Sequence, residues 1–162
     1  MGKITKKKIY WKKIMKKIST LRKIFKYYKI DGYIVPKNDE FFGEYVHHFK
    51  DRLKFISSFT GSFGYALILK RKSYLFVDGR YTLQALKESK NLFKIIEIHK
   101  QKPKNIINKL KNKIAIGYDS KLLTKLTLDS YFKSAKCSFV PIEQNLIDKV
   151  WRKKNDFKIN KF

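Results

Sequence analysis

Asp78-Gly79-Arg80-Tyr81 is the group of residues in this 162-residue chain whose types and order best lend themselves to chemistry. It follows the apolar run Tyr74-Leu75-Phe76-Val77 and precedes Thr82-Leu83-Gln84-Ala85, which reads as the opening of a helix. The end of a strand is where open α/β sheets gather ligand contacts. There the planar, permanently charged guanidinium of Arg80 can grip a carboxylate or peptide carbonyls. Gly79 lets the backbone turn. An equally open reading has Asp78 and Arg80 capping and bracing the next helix.

Other chemistries find less support. Neighbouring His47 and His48 point to different sides of a helix or strand, His99 stands apart, and a His-Glu-x-x-His pattern is missing. The single cysteine, Cys137, rules out a thiolate zinc site. Ser62 sits in Gly61-Ser62-Phe63-Gly64, not in a Gly-x-Ser-x-Gly elbow. A triad of Ser62, a histidine and Asp78 can be drawn, as in any chain of this size. Lys136 beside Cys137 can lower a thiol pKa, but a position just before a strand favours a small buried residue. Gly61 and Gly64 precede a strand, whereas phosphate-cradling glycines follow one.

The elements that must position these residues alternate. Apolar residues at helical spacing, Ile14, Ile18, Leu21, Phe25 and Tyr28, predict a helix over 11–29. Tyr33-Ile34-Val35, closed by Pro36, reads as a strand, and residues 41–49 as a helical turn or two. Residues 52–64 read as a small-residue loop. Two apolar strands around Arg71-Lys72-Ser73 form a hairpin that aims Asp78, Arg80 and Tyr81 out of one end of a sheet. Then follow a helix from Arg80 to about Asn91, a strand over 93–98 and a helix from Pro103. Residues 114–118 form a strand, Asp119 or Ser120 caps a helix bearing Leu122 to Phe132, and a strand over 138–141 and a helical tail over 146–151 complete the series. The pattern defines an α/β fold with a mixed β-sheet flanked by helices.

The net charge is +26, distributed unevenly. Residues 1–30 hold twelve basic and no acidic side chains, residues 31–100 twelve and eight, and residues 101–162 fifteen and five. Two readings fit: solvated faces in a lysine-rich composition, or a nucleic-acid partner met by residues 1–30 and 101–162. The basic first helix is expected to dock on the sheet and not on a membrane. Without an apolar leader segment, a long apolar run or cysteine pairs, the expected location is cytoplasmic.

Read together, Arg52-Leu53-x-Phe55-Ile56-Ser57-x-Phe59-Thr60-Gly61-Ser62-x-Gly64 and Phe76-Val77-Asp78-Gly79-Arg80-Tyr81-x-x-Gln84-Ala85 resemble the N-terminal domain of aminopeptidase P, a Xaa-Pro aminopeptidase of the creatinase/prolidase group. Tyr33-Ile34-Val35-Pro36 with Asp39 and Glu44-Tyr45, Gly117-Tyr118-Asp119, and Asn145-Leu146-Ile147-Asp148-Lys149-Val150-Trp151 match in the same order. The resemblance covers residues 10–153, leaving 1–9 and 154–162 as basic tails. Phe41 and Gly43 replace a histidine and a serine common before Glu44-Tyr45, and Ser58 and Phe63 stand where glycine and alanine are usual.

The resemblance implies a creatinase N-terminal domain with a ribonuclease H-like sheet. It assigns substrate binding to Arg80, with Glu44, Asp78 and Tyr81 as supports, and gives this chain no catalytic or metal-ligating residue. In the family, two divalent metals, usually manganese, lie in a separate pita-bread catalytic domain. The expected protein is thus a truncated or split product, inactive alone. Its expected partners are a peptide with proline second, a pita-bread domain in cis or trans, and further copies of itself in a homo-oligomer. The alternative is a nucleic-acid-binding or peptidase-partner protein that reuses the fold.

Overall fold

The computed structural model describes residues 2–43 and 45–152. Its elements are α1 (Gly2–Tyr28), β1 (Gly32–Pro36), α2 (Arg52–Ser57), β2 (Gly64–Leu69), β3 (Ser73–Val77), a 3-10 turn (Gly79–Tyr81), α3 (Thr82–Ser89), β4 (Lys94–Glu97), α4 (Pro103–Ile107), β5 (Ile114–Tyr118), α5 (Lys125–Phe132), β6 (Cys137–Pro141) and α6 (Leu146–Trp151). The six strands form one mixed sheet in the order β4-β3-β2-β1-β5-β6. β2 pairs antiparallel with β1 and β3, while β3/β4, β1/β5 and β5/β6 are parallel.

The inner strands read as near-continuous apolar runs because both faces are covered. The two-residue period sends Tyr33, Val35, Ala66, Ile68, Leu75 and Val77 to one face, where α1 contributes Ile14, Ile18, Leu21 and Phe25. Ile34, Tyr65, Leu67, Tyr74 and Phe76 go to the other, against Ile106 and Ile107 of α4 and Leu128 and Phe132 of α5. The helix periodicity thus identifies the docking face of α1, and that face is buried in the core as expected.

Several local expectations change. α1 begins at Gly2, so residues 2–9, read as tail, belong to the helix. Residues 52–57, read as loop, form α2, because buried Asp51 caps it through Oδ1 and Lys54 N at 3.0 Å. Lys37 holds the other oxygen of Asp51 at 2.5 Å. The described residues of 41–49 form turns, with no helix. Asp119 and Ser120 do not cap a helix: α5 starts later, capped by Thr124 Oγ1 accepting from Thr127 N at 3.1 Å. Thr124→Ala is expected to cost about 1 kcal/mol, the usual worth of such a cap, read as a shift of the urea midpoint.

Candidate functional site at the end of β3 and β4

Asp78 leaves β3 in extended conformation and caps the 3-10 turn that follows. Its Oδ1 accepts from Arg80 N and from Arg80 Nε, both at 3.0 Å. Bracing and presentation, the two readings of the sequence, therefore coexist. Asp78 fixes both the backbone and the first part of the guanidinium, while the Arg80 side chain stays 77% exposed. Its backbone and side-chain bonds from Arg80 hold the Asp78 carboxyl below the ordinary range, and Asp78 in turn raises the Arg80 pKa. A Cβ on Gly79 would lie 2.8 Å from Glu97 Oε1, a contact that the Glu97 side chain would have to shift to relieve.

Parallel pairing sets the opposite wall. Val77 is in register with Glu97, so the residues after β4 run beside those after β3. His99 Nε2 lies 3.8 Å from Asp78 Oδ2. Lys102 reaches across to the carbonyl of Ser130 at 3.4 Å. A cleft of about 470 Å³ opens between them, with Arg80, His99 and Lys102 at its polar margin and Phe63, Ile98 and Tyr131 as apolar lining. The sequence signal for His99 and Lys102 is the strand–helix–strand crossover through α3, which makes β4 a parallel neighbour of β3.

Tyr81 does not line this cleft. It packs edge-on against Phe59, and its hydroxyl is 2.5 Å from Ser62 Oγ. That bond engages Ser62 with a phenol and not with a histidine. Thr60 is tied by its amide and hydroxyl to the carboxylate of Glu88, at 2.8 and 2.6 Å, and Gln84 Nε2 reaches Thr60 Oγ1 at 2.8 Å. The Thr60-Gly61-Ser62 turn is thereby sewn to α3, which carries the 3-10 turn and Arg80. A Cβ on Gly61 would meet the Phe59 ring at 2.2 Å, so the turn has no space for one. Ser58 ends α2 at φ 65°, a left-handed conformation that glycine adopts freely, which accounts physically for glycine as the usual small residue at such a position.

Glu44 lies outside the described residues. Cys137 is half-buried, and that burial pushes its thiol up despite a lowering contribution from Lys113, so the lowered pKa weighed for it does not arise. His47 and His48 do not point to different sides: at an exposed turn their rings lie together, centroids 4.4 Å apart and tilted by 32°. Among the described residues, no three His, Cys, Asp or Glu side chains come together as a metal-binding group, so the donor set present does not fit a two-metal centre.

A family model for the Creatinase/Prolidase N-terminal domain matches residues 17–150, and the chain belongs to this family. A probable Xaa-Pro aminopeptidase P of Coprinopsis cinerea is 34% identical over 151 residues, covering 84% of this chain and 23% of the relative. The chain thus spans less than a quarter of the length of such relatives. The X-prolyl aminopeptidase of Caenorhabditis elegans, described as a cytosolic enzyme with a di-nuclear active site, superposes with a TM-score of 0.76 at 27% identity, over 86% of this chain and 26% of that one. The N-terminal domain of the cytoplasmic peptidase PepQ from Mycobacterium tuberculosis has the same fold, with a TM-score of 0.62 at 18% identity, covering 83% and 97% of the two chains. No helix among the described residues is long and apolar enough to cross a membrane.

Proposed function

We propose that this chain is the substrate-side, non-catalytic portion of a cytoplasmic Xaa-Pro aminopeptidase, and that Arg80 grips peptides with proline in second position. The observation that carries this reading is Arg80 itself. It is tethered through Nε to Asp78 and otherwise exposed, at the margin of a cleft whose lining includes Ile98 and Tyr131. A guanidinium held by one edge keeps its other donors for a carbonyl or carboxylate in a fixed direction. Hydrolysis, together with its two divalent metals, is assigned to a pita-bread catalytic domain in cis or in trans, with a homo-oligomer as the assembled form. The C. elegans relative, described as a cytosolic enzyme with a di-nuclear active site, supports the cytoplasmic location and the two metals.

The test is a titration of the ¹⁵N-labelled chain with Ala-Pro-Ala, followed by amide chemical shifts. Shifts are expected at 78–82, His99 and Lys102. Arg80→Ala is expected to weaken binding about tenfold or more, since a charge-assisted hydrogen bond is worth about 1.5–3 kcal/mol. Saturable shifts confined to another surface, or an affinity unchanged by Arg80→Ala, would overturn the assignment.

A further inference from the structure

At the other end of β3, away from Arg80, two clefts run together. One, of about 440 Å³, lies between α1 and the residue 70–72 turn, with Arg22 and Ser19 on the helix side. The other, of about 500 Å³, continues past the sheet end towards Lys109. They share Arg71, Lys72, Tyr74 and Lys94, so the two make one bent furrow around the β2–β3 turn. Among the described residues its cationic side chains are Arg22, Lys70, Arg71, Lys72, Lys94 and Lys109, and its only acid is Asp31. That carboxylate is already engaged, by Lys70 at 2.6 Å and by the amide of Ala115 at 2.8 Å.

Among the described residues the remaining charges have no carboxylate partner. Arg22 is half-buried, and its bonds go to neutral acceptors, the Leu69 carbonyl at 2.8 Å and Ser73 Oγ at 3.0 Å. Burial works against its charge. Among the described residues, none of Arg22, Arg71, Lys72, Lys94 and Lys109 pairs with a carboxylate. The outer face of α1 extends the track with Lys12, Lys16, Lys23 and Lys26, all exposed, on a helix with no acidic residue. At 1.5 Å per residue the stretch from Lys12 to Lys26 adds roughly 21 Å.

We propose that this furrow, continued along α1, binds the phosphate backbone of a single-stranded nucleic acid. A lone anion would occupy one cleft and leave the rest of the track uncompensated, whereas a repeating polyanion matches its length. A single strand follows a bend around a sheet end, and a duplex, stiff over about 150 base pairs, does not. A membrane surface fits less well, because an interfacial helix must insert an apolar face, and Ile14, Ile18, Leu21 and Phe25 are buried in the core. The peptide cleft lies at the opposite end of the strand, so the two sites stand or fall separately.

The experiment is fluorescence anisotropy of a labelled 20-nucleotide oligo-uridine with the full chain, between 50 and 200 mM KCl. With about six phosphate contacts the log–log salt slope is expected near about −4. The triple substitution Arg71→Gln, Lys72→Gln, Lys94→Gln is expected to flatten the slope by about 2 and to weaken binding at least tenfold at 50 mM salt. A control triple with the same loss of charge, Lys100→Gln, Lys121→Gln, Lys125→Gln, all exposed and following the C-terminal ends of β4 and β5 at the opposite end of the sheet from the furrow, is expected to bind nearly as the parent does. Absence of binding at 50 mM salt would overturn the proposal, as would equal losses in both triples, which would mean net charge alone. Furrow-dependent binding to phosphatidylserine vesicles without binding to the oligonucleotide would also overturn it.

Discussion

An Arg52→Leu chain is expected to unfold about 3 kcal/mol more easily than the parent, at the low end of the cost of breaking a buried ion pair. The Arg52 side chain is 4% exposed. It meets Asp148 in a two-pronged pair, Nε to Oδ1 at 2.9 Å and Nη2 to Oδ2 at 2.8 Å, and Nη2 also reaches Glu40 Oε1 at 2.8 Å. Leucine would fill much of the volume but leave two carboxylates without their shared cation. Those carboxylates, at 28% and 29% exposure, remain within reach of water, which is why the lower figure applies. Burial alone would raise the Glu40 pKa, but its own backbone amide, Arg52 and Lys50 outweigh that and hold it down to about 2. Since the folded pKa lies below the ordinary 4.5, the stabilisation from Glu40 is complete above that range and is lost as pH falls towards 2. Urea melts at pH 7 and pH 3 check both parts. The gap between parent and variant should narrow at the lower pH, and a gap below about 1 kcal/mol at pH 7 would show that the clasp matters little.

Asn145→Ala is expected to cost about 2–4 kcal/mol, from two losses that add. Asn145 Oδ1 caps α6 by accepting from Ile147 N at 2.9 Å. Its Nδ2 donates to Asp119 Oδ2 at 2.9 Å, and Asp119 is only 3% exposed. The substitution removes the cap and strips a buried carboxylate of its Asn145 donor, leaving the amide of Lys121. Adding Asp119→Asn should recover part of the loss, because the group left with fewer donors is then uncharged. A double variant as unstable as the single one would place the whole effect in the cap.

These two sites also show what the sequence makes legible. Arg52, Asp119, Asn145 and Asp148 all stand within ordered motifs that mark the family. Periodicity placed the strands and the docking face of α1, because side chains two and three to four residues apart declare their faces locally. Nothing local says that Arg52 meets a carboxylate 96 residues away, or that Leu146 N donates to the hydroxyl of Tyr33, 113 residues away. Much of the motif series is a set of clasps. It ties α6 to β1, to the end of β5 and to α2, and supports the site without touching it. α2 is illegible as a helix because six residues are too few for a helical period, and the Asp51 cap is its local mark. The cleft was half legible. Arg80 and Asp78 announced themselves by type and position, but His99 and Lys102 arrive through strand pairing. Four of the furrow's cations, Lys70, Arg71, Lys72 and Lys94, lie in the stretch with the most balanced charge, and a balance along the chain says little about which cations share a concave surface.

The central place of β1 bears on how the chain folds. β1 to β4 fall within the first 97 residues and can assemble through short connections. Until Ile114–Tyr118 emerges, the far side of β1 is an unpaired edge made of Gly32-Tyr33-Ile34-Val35-Pro36. Pairing across that edge waits on a loop closure of about eighty residues, a slow step by the usual dependence of rate on contact separation. During synthesis, then, the half-made sheet presents an apolar strand as an open template, and the period before β5 arrives is when two nascent chains are most prone to join.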